Sequence, residues 1–213
     1  MIFASFDIDG TLVNSYDLIS LAFAERGFML DPNNTAYDFK FIDGHCPPPD
    51  FQWDLFFYRL FTERFDEIKP IDEYVYEFLQ KIYKDGSEPV RAMTARSRGM
   101  LMHHCCSELL RRLFPDIDFS IDVVGSGSEK YRYLFGSDIM FEDRRKTALE
   151  LSAKGIIVFV RRTSYNFFKC SDNIRYIQHI GCDLRELPAG SIILYDNFKD
   201  LLDHGVDRLA RLL

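Results

Sequence analysis

Short apolar runs alternating with stretches of helical periodicity constrain the fold of this chain more than any single residue does. Residues Ile2 to Phe6 form one such run, and others stand at Pro89 to Met93, Asp118 to Val124, Ser137 to Phe141, Ile156 to Val160 and Ile192 to Tyr195. Runs apolar on both faces are what strands buried from both sides require. Between them, apolar residues recur every three or four positions. The spacing predicts helices over Tyr16 to Arg26, Asp50 to Ile68, Asp72 to Tyr83, Ser97 to Phe114 and Arg144 to Lys154, another starting near Glu129, and a closing one from Phe198 to Leu213. Repeated strand and helix units in one chain close into a parallel sheet covered on both faces. The expectation is a doubly wound α/β fold, with ligands beyond the carboxyl ends of the strands.

Length and charge narrow what such a fold can do. A chain of 213 residues supports one α/β domain with room for a small insertion, and a hydrophobic share of 47% is too apolar for disorder. With 26 basic and 33 acidic residues the formal charge is −7, so long nucleic acid is repelled and is not expected as a partner. No apolar run approaches the roughly 20 residues that span a bilayer. The N-terminus leads straight to Asp7 and Asp9 without a basic segment or a cleavage site, so a cytoplasmic location is expected, with no membrane partner.

The five cysteines, Cys46, Cys105, Cys106, Cys170 and Cys182, show no paired spacing. His45-Cys46 and His103-His104-Cys105-Cys106 lack the ligand spacing of a tetrahedral zinc site, because adjacent thiols on a helix do not both turn inward. Buried thiols are the expected reading.

Chemistry enters at Asp7-Ile8-Asp9-Gly10-Thr11-Leu12, directly after the first predicted strand. Aspartate and glycine are common turn residues, so the motif alone has a structural explanation. Yet two carboxylates one residue apart at a strand end are also placed to share a cation and a phosphoryl group. Three further positions beyond later strands carry complementary groups: Thr94 in Met93-Thr94-Ala95-Arg96, Lys130 after Gly125-Ser126-Gly127-Ser128, and Glu142-Asp143. Each has an ordinary alternative as a turn residue, a solvated lysine or acids favouring a helix N-terminus. Their order along the chain is what gives them joint weight.

In that order, Asp7/Asp9, Thr94, Lys130 and Glu142-Asp143 resemble the four motifs of the haloacid-dehalogenase superfamily, a likeness that spans residues 1 to about 165. The resemblance implies a Rossmann-like core of residues 1–13 and 70–213 and a small helical cap of residues 14–69, inserted after the first strand. It implies a phosphatase in which Asp7 is the nucleophile and Asp9 the proton carrier, with Thr94 and Lys130 holding the phosphoryl oxygens. Mg²⁺ is the implied cofactor, bound by Asp7, the Asp9 main-chain carbonyl and Asp143, with Glu142 acting through water. Glu142 stands where many members have aspartate.

The run from Phe141 to Leu151, with Gly155 to Val160 and Tyr165-Asn166, looks like the branch holding cytosolic deoxyribonucleotidases, where this segment supports the metal site and closes the sheet. A small phosphomonoester is therefore the expected substrate, a nucleotide among the candidates. Arg96 and His45 are candidates for substrate contact. The aromatic positions Phe51, Trp53, Phe56, Phe57 and Tyr58 have the spacing of a helix core before that of a binding surface. Rival readings are a sugar-phosphate phosphatase or phosphomutase on the same chemistry, and a catalytically quiet regulatory protein on the same fold. A homodimer is compatible with all of them.

Overall fold

The computed structural model describes residues 3–31, 39–83, 89–96, 99–134, 137–163, 166, 168, 173–180, 186–205 and 209. The apolar run at the N-terminus is strand β1 (Phe3–Asp7), and it lies inside a seven-stranded sheet. The other strands of that sheet are β4 (Val90–Thr94), β5 (Phe119–Val123), β6 (Ser137–Glu142), β7 (Ile157–Arg161), β8 (Ile174–Tyr176) and β9 (Ile192–Tyr195). Their order is β5-β4-β1-β6-β7-β9-β8, and every neighbouring pair is parallel. Two short strands, β2 (Val13–Asn14) and β3 (Lys69–Pro70), form a separate antiparallel pair. That pair brings the two ends of the 14–69 segment side by side.

The pleat sorts the side chains into two cores. Ile139 and Phe141 of β6, Phe159 of β7, and Ile193 and Tyr195 of β9 join one cluster with residues of α1 (Tyr16–Ala24), α2 (Trp53–Glu63), α3 (Val75–Ile82), α4 (Met100–Leu113) and α6 (Phe198–His204). Met140, Val158, Val160, Ile192 and Leu194 point the other way, toward α5 (Arg145–Ser152) with its Ala148 and Leu151. Helices therefore cover both faces. Phe141 anchors the first cluster, its ring 4.4 Å from Phe6 and 4.9 Å from Phe159, centroid to centroid. A Phe buried this completely contributes about 1.5–3 kcal/mol through its area alone.

Several elements depart from expectation. The stretch around Glu129 is a 3₁₀ helix over Gly127–Tyr133 and not an α-helix. Gly127 packs so closely on α5 that an added Cβ would sit 2.7 Å from Thr147 Oγ1, and the tight turns that follow bury Lys130. The helix foreseen from Asp50 begins only at Trp53, with Gln52 at its N-cap, and after Glu63 gives way to a 3₁₀ turn over Phe65–Glu67. The last helix ends at His204, and residues 206–208 and 210–213 of its foreseen extent lie outside the described residues. Strand β8 was not anticipated, because three residues are too few to show a period of two. No helix among the described residues is long and apolar enough to cross a membrane.

Candidate active site

From β1 the chain winds through β4 to β5 on one side and then crosses back from β5 to β6 on the other, so β1 lies where the winding of the sheet reverses. A crevice opens at the carboxyl end of a strand in that position. Register sets what faces it. Asp7 lies opposite Met93, so Thr94 comes one step beyond, and Phe6 lies opposite Phe141, so Glu142 and Asp143 follow.

The turn after β1 is fixed by the main chain. Ile8 N–H donates to Met93 O (2.9 Å), Gly10 N–H to Val13 O (2.8 Å), and Leu12 and Val13 N–H both to Ile8 O (3.0 Å). Gly10 has φ of 77°, a left-handed conformation that costs other L-residues about 1–2 kcal/mol. The turn sends Asp7 and Asp9 to different neighbours.

On the β6 side, the buried Lys130 ammonium donates to Asp7 Oδ1 and, at 2.8 Å, to Glu142 Oε2. Glu142 Oε1 accepts the main-chain N–H of Asp143 (3.3 Å) and of Arg144 (3.1 Å). Carboxylate oxygens of Asp7, Glu142 and Asp143 lie within 4.8 Å of one another, the one such trio of potential metal ligands among the described residues. The Asn166 amide braces this corner from below, donating to Asp143 O at 2.6 Å and Arg161 O at 2.5 Å. Burial pushes the Asp7 carboxyl up from 3.8 to about 7; Lys130 opposes that rise, and Glu142 and Asp9 add to it. For Lys130 burial works against the charge, but Asp7 and Glu142 outweigh it and hold the ammonium protonated.

On the β4 side, Asp9 is paired with a single cation. Arg96 donates from Nη2 to Asp9 Oδ1 (2.5 Å) and from Nε to Oδ2 (2.8 Å), and Thr94 Oγ1 adds a bond to Oδ2 at 2.9 Å. Burial alone would raise the Asp9 pKa. The Arg96 charge and the hydrogen bonds from Arg96 and Thr94 outweigh it and hold the carboxyl below its ordinary value.

Both flanks open into one cavity of about 750 Å³, within the size range of small-molecule sites. Lys130, Arg96 and Arg144 supply its cations, while Ile19, Phe39, Phe57, Phe61 and Met102 form an apolar wall interrupted by Asp54.

Sequence-predicted residues fall into place unevenly. Asp7, Asp9, Thr94, Arg96 and Lys130 line the cavity, with Glu142 and Asp143 buried beside Asp7. His45 does not line it; it is exposed in a loop where its main chain pairs with Met29 and Ile42. Cys105 and Cys106 are buried on α4 and Cys46 is exposed, while Cys170 and Cys182 lie outside the described residues. Of the aromatic positions, Phe56 is core, stacked 4.8 Å from Phe23, whereas Phe57 reaches the cavity. Asp54, Phe61 and Ser15 carried no signal that marked them for the site. Asp54 and Phe61 are ordinary residues of α2 and Ser15 precedes α1, and only the fold brings these two helices to the cavity.

No family profile and no curated protein matches the chain by sequence. Solved structures do match. CbbY from Rhodobacter sphaeroides in complex with phosphate superimposes with a TM-score of 0.56 at 20% identity, covering 97% of this chain and all of that one (100%). A CbbY variant from the same organism, in complex with xylulose 1,5-bisphosphate, matches at 0.50 and 18% identity over 78% of this chain and 88% of that one. A haloacid dehalogenase-like family hydrolase from Streptococcus pneumoniae matches at 0.55 and 16% identity, over 95% and 98%. The chain has the haloacid dehalogenase-like α/β fold. At these identities the likeness is one of fold, and the chemistry must be argued from the site.

Proposed function

We propose that the protein is a phosphohydrolase acting on a small phosphomonoester through an aspartyl-phosphate intermediate. The observation that carries this reading is the contrast at the end of β1: Asp7 buried under Lys130 at the cavity floor, and Asp9, two residues on, turned to Thr94 and Arg96. One carboxylate is placed to attack and the other to handle protons.

The donor set on the β6 side fits a hard divalent cation. Three carboxylates, Asp7, Glu142 and Asp143, gather here with ligand oxygens within 4.8 Å of one another, and Lys130 pairs with Asp7 and Glu142. Oxygen ligands this close together suit Mg²⁺. Asp7 and Asp143 would hold it, with the Asp9 carbonyl. Glu142 has both oxygens engaged, by Lys130 and two main-chain N–H groups, and would act from the outside through water. Bound there, the ion would offset the repulsion between these carboxylates and an incoming phosphate dianion.

An Asp7 oxygen attacks phosphorus, and the bond to the leaving group breaks with its electron pair on the departing oxygen. Asp9, which Arg96 holds as a carboxylate in the free site, must first take up a proton as substrate binds, and it then gives that proton to the departing oxygen. As a carboxylate, Asp9 then takes a proton from water as the water oxygen attacks phosphorus. The bond from phosphorus to Asp7 breaks, releasing inorganic phosphate and restoring the nucleophile. Lys130 and Thr94 stabilise the phosphoryl oxygens as charge shifts onto them.

Residues 14–69 serve as the cap in this reading, a role supported by the β2–β3 pair at their two ends and by Phe57, Phe61 and Asp54 in the cavity wall. That apolar wall favours a substrate with a flat or apolar leaving group, a nucleotide being one. The xylulose bisphosphate bound to a fold neighbour keeps a sugar phosphate as the second reading. Phosphate release from a panel of nucleoside monophosphates, sugar phosphates and p-nitrophenyl phosphate, with Mg²⁺ and after chelation, tests the proposal. Turnover that needs Mg²⁺ is expected. Full turnover in verified metal-free protein removes the metal from the mechanism, and no turnover of any ester removes the enzyme.

A further inference from the structure

We propose that Arg96 is a positioning residue for Asp9, holding its carboxylate as the base for attack of water on the aspartyl phosphate. This rests on the reading of Asp9 given above and adds to it which group holds the base and which half-reaction depends on it.

The geometry points to Asp9 rather than to substrate. Each of the three guanidinium nitrogens is already engaged: Nε and Nη2 with the two Asp9 oxygens at 2.8 and 2.5 Å, and Nη1 with Cys106 Sγ at 3.4 Å. A two-point fork of this kind fixes the plane of a carboxylate as well as its place, which a lysine or a single hydroxyl cannot do. Thr94 supplies the third bond, to Oδ2.

Arg96 is itself held. It is 6% exposed, and its guanidinium carbon lies 3.9 Å from the centre of the Phe61 ring of α2. Cys106 on α4 closes the remaining side. A side chain stacked on one helix and bonded to another has little freedom to follow a phosphate into the cavity.

A base acts by accepting a proton from water at a fixed position, and freedom of rotation at its carboxylate lowers the fraction of time it is aligned. Loss of the fork should therefore slow breakdown of phospho-Asp7 more than its formation.

The experiment loads the enzyme with p-nitrophenyl phosphate and Mg²⁺, dilutes it, and follows decay of the phosphoryl adduct by mass spectrometry of quenched protein. In Arg96→Lys and Arg96→Ala the adduct half-life should lengthen about ten- to a hundredfold, part of the 10²–10⁴ that a positioned proton-transfer group supplies. Steady-state kcat and KM should fall together, leaving kcat/KM within about threefold of its starting value, because formation of the adduct is spared. Adding Arg96→Lys to Asp9→Asn should bring no further loss, since both act through one group.

Unchanged adduct decay with a raised KM and weaker inhibition by inorganic phosphate makes Arg96 a substrate ligand and overturns the proposal. Losses that multiply in the double variant overturn it too. Should the Arg96 variants not fold, Phe61→Leu keeps the fork but removes the ring over it, and its adduct should live severalfold longer; an unchanged half-life in that folded variant overturns the proposal. Wild-type protein that forms no adduct and releases no phosphate defeats the phosphohydrolase reading itself, a result distinct from all of these.

Discussion

The two sides of the site solve opposite problems with the same residue type. Asp9 meets one guanidinium and one hydroxyl, so its charge is matched where it stands. Asp7 shares an ammonium with Glu142 and lies near Asp143, so three carboxylates crowd that side. Burial raises both carboxyls; Arg96 reverses that for Asp9, whereas at Asp7 burial prevails over Lys130, with Glu142 and Asp9 adding to it, so one is held low and the other is pushed up to about 7. Carboxyls whose environments drive their pKa values apart are suited to different tasks in one reaction. The Asp9 side has its cation in place, and the Asp7 side is the one to which the proposed function assigns a divalent ion and the phosphoryl group.

The sharpest way to break this comparison is to remove the nucleophile. Asp7→Asn should lower turnover by a factor on the order of 10⁶, the scale on which hydrolases lose activity without their covalent nucleophile. No adduct should then appear on the peptide containing residue 7. Turnover persisting in contamination-free protein would show that the two sides do not differ in kind.

Asp9→Asn should cost less, about 10²–10⁴ in rate, because the main-chain carbonyl stays and only proton handling is lost. With an activated leaving group the phosphoryl adduct should accumulate, visible in quenched samples. A loss equal to that of Asp7→Asn, with no adduct, would make both carboxylates part of one metal clamp.

Lys130→Met probes the crowded side without touching either aspartate of the first motif. It leaves Asp7 and Glu142 buried without their shared partner, an uncompensated state that costs about 3–5 kcal/mol. Thermal unfolding should show that loss in metal-free protein and a partial recovery with Mg²⁺. A midpoint that hardly moves would mean the lysine contributes little to holding this side together.

The smallest effect is the dependence of stability on pH. Asp7 has a folded-state pKa raised above its unfolded value of 3.8. Its contribution to stability is therefore fully present below that value and is lost as pH rises through about 7. Asp9 has the reverse sign: its contribution is present above 3.8 and is lost as pH falls through its lowered pKa. Metal-free protein should thus lose stability between pH 4 and pH 7 through Asp7. Mg²⁺, which binds the ionised form, should stabilise more at pH 8 than at pH 5.5, the total at pH 8 being about 2.7 kcal/mol when it is present at a hundred times its dissociation constant there. A midpoint shift independent of pH would uncouple Asp7 from the ion.

Much of the sheet was legible because its signals are local. An apolar run such as Ile192–Tyr195 shows its strand directly, and the structure keeps those bounds. Thr94 and Glu142 were locatable for the same reason, since each closes a strand whose apolar residues precede it. The 3₁₀ course of Gly127–Tyr133 was not legible, and neither was the close approach of Gly127 to Thr147, which lies on another element. The three-residue β8 left too short a pattern to read.

By itself, then, the sequence determined which residues stand at the ends of strands and that several of them are carboxylates, a hydroxyl and cations. Only the tertiary structure decided who pairs with whom. Arg96 reaches back 87 positions to Asp9, Lys130 reaches back 123 to Asp7, and Asn166 braces Asp143 from 23 residues away. Local periodicity reports the conformation of a segment, and such partnerships depend on strand order and register across the sheet. Two aspartates that look alike in Asp7-Ile8-Asp9 acquire opposite charge environments because β6 delivers one set of neighbours and β4 the other.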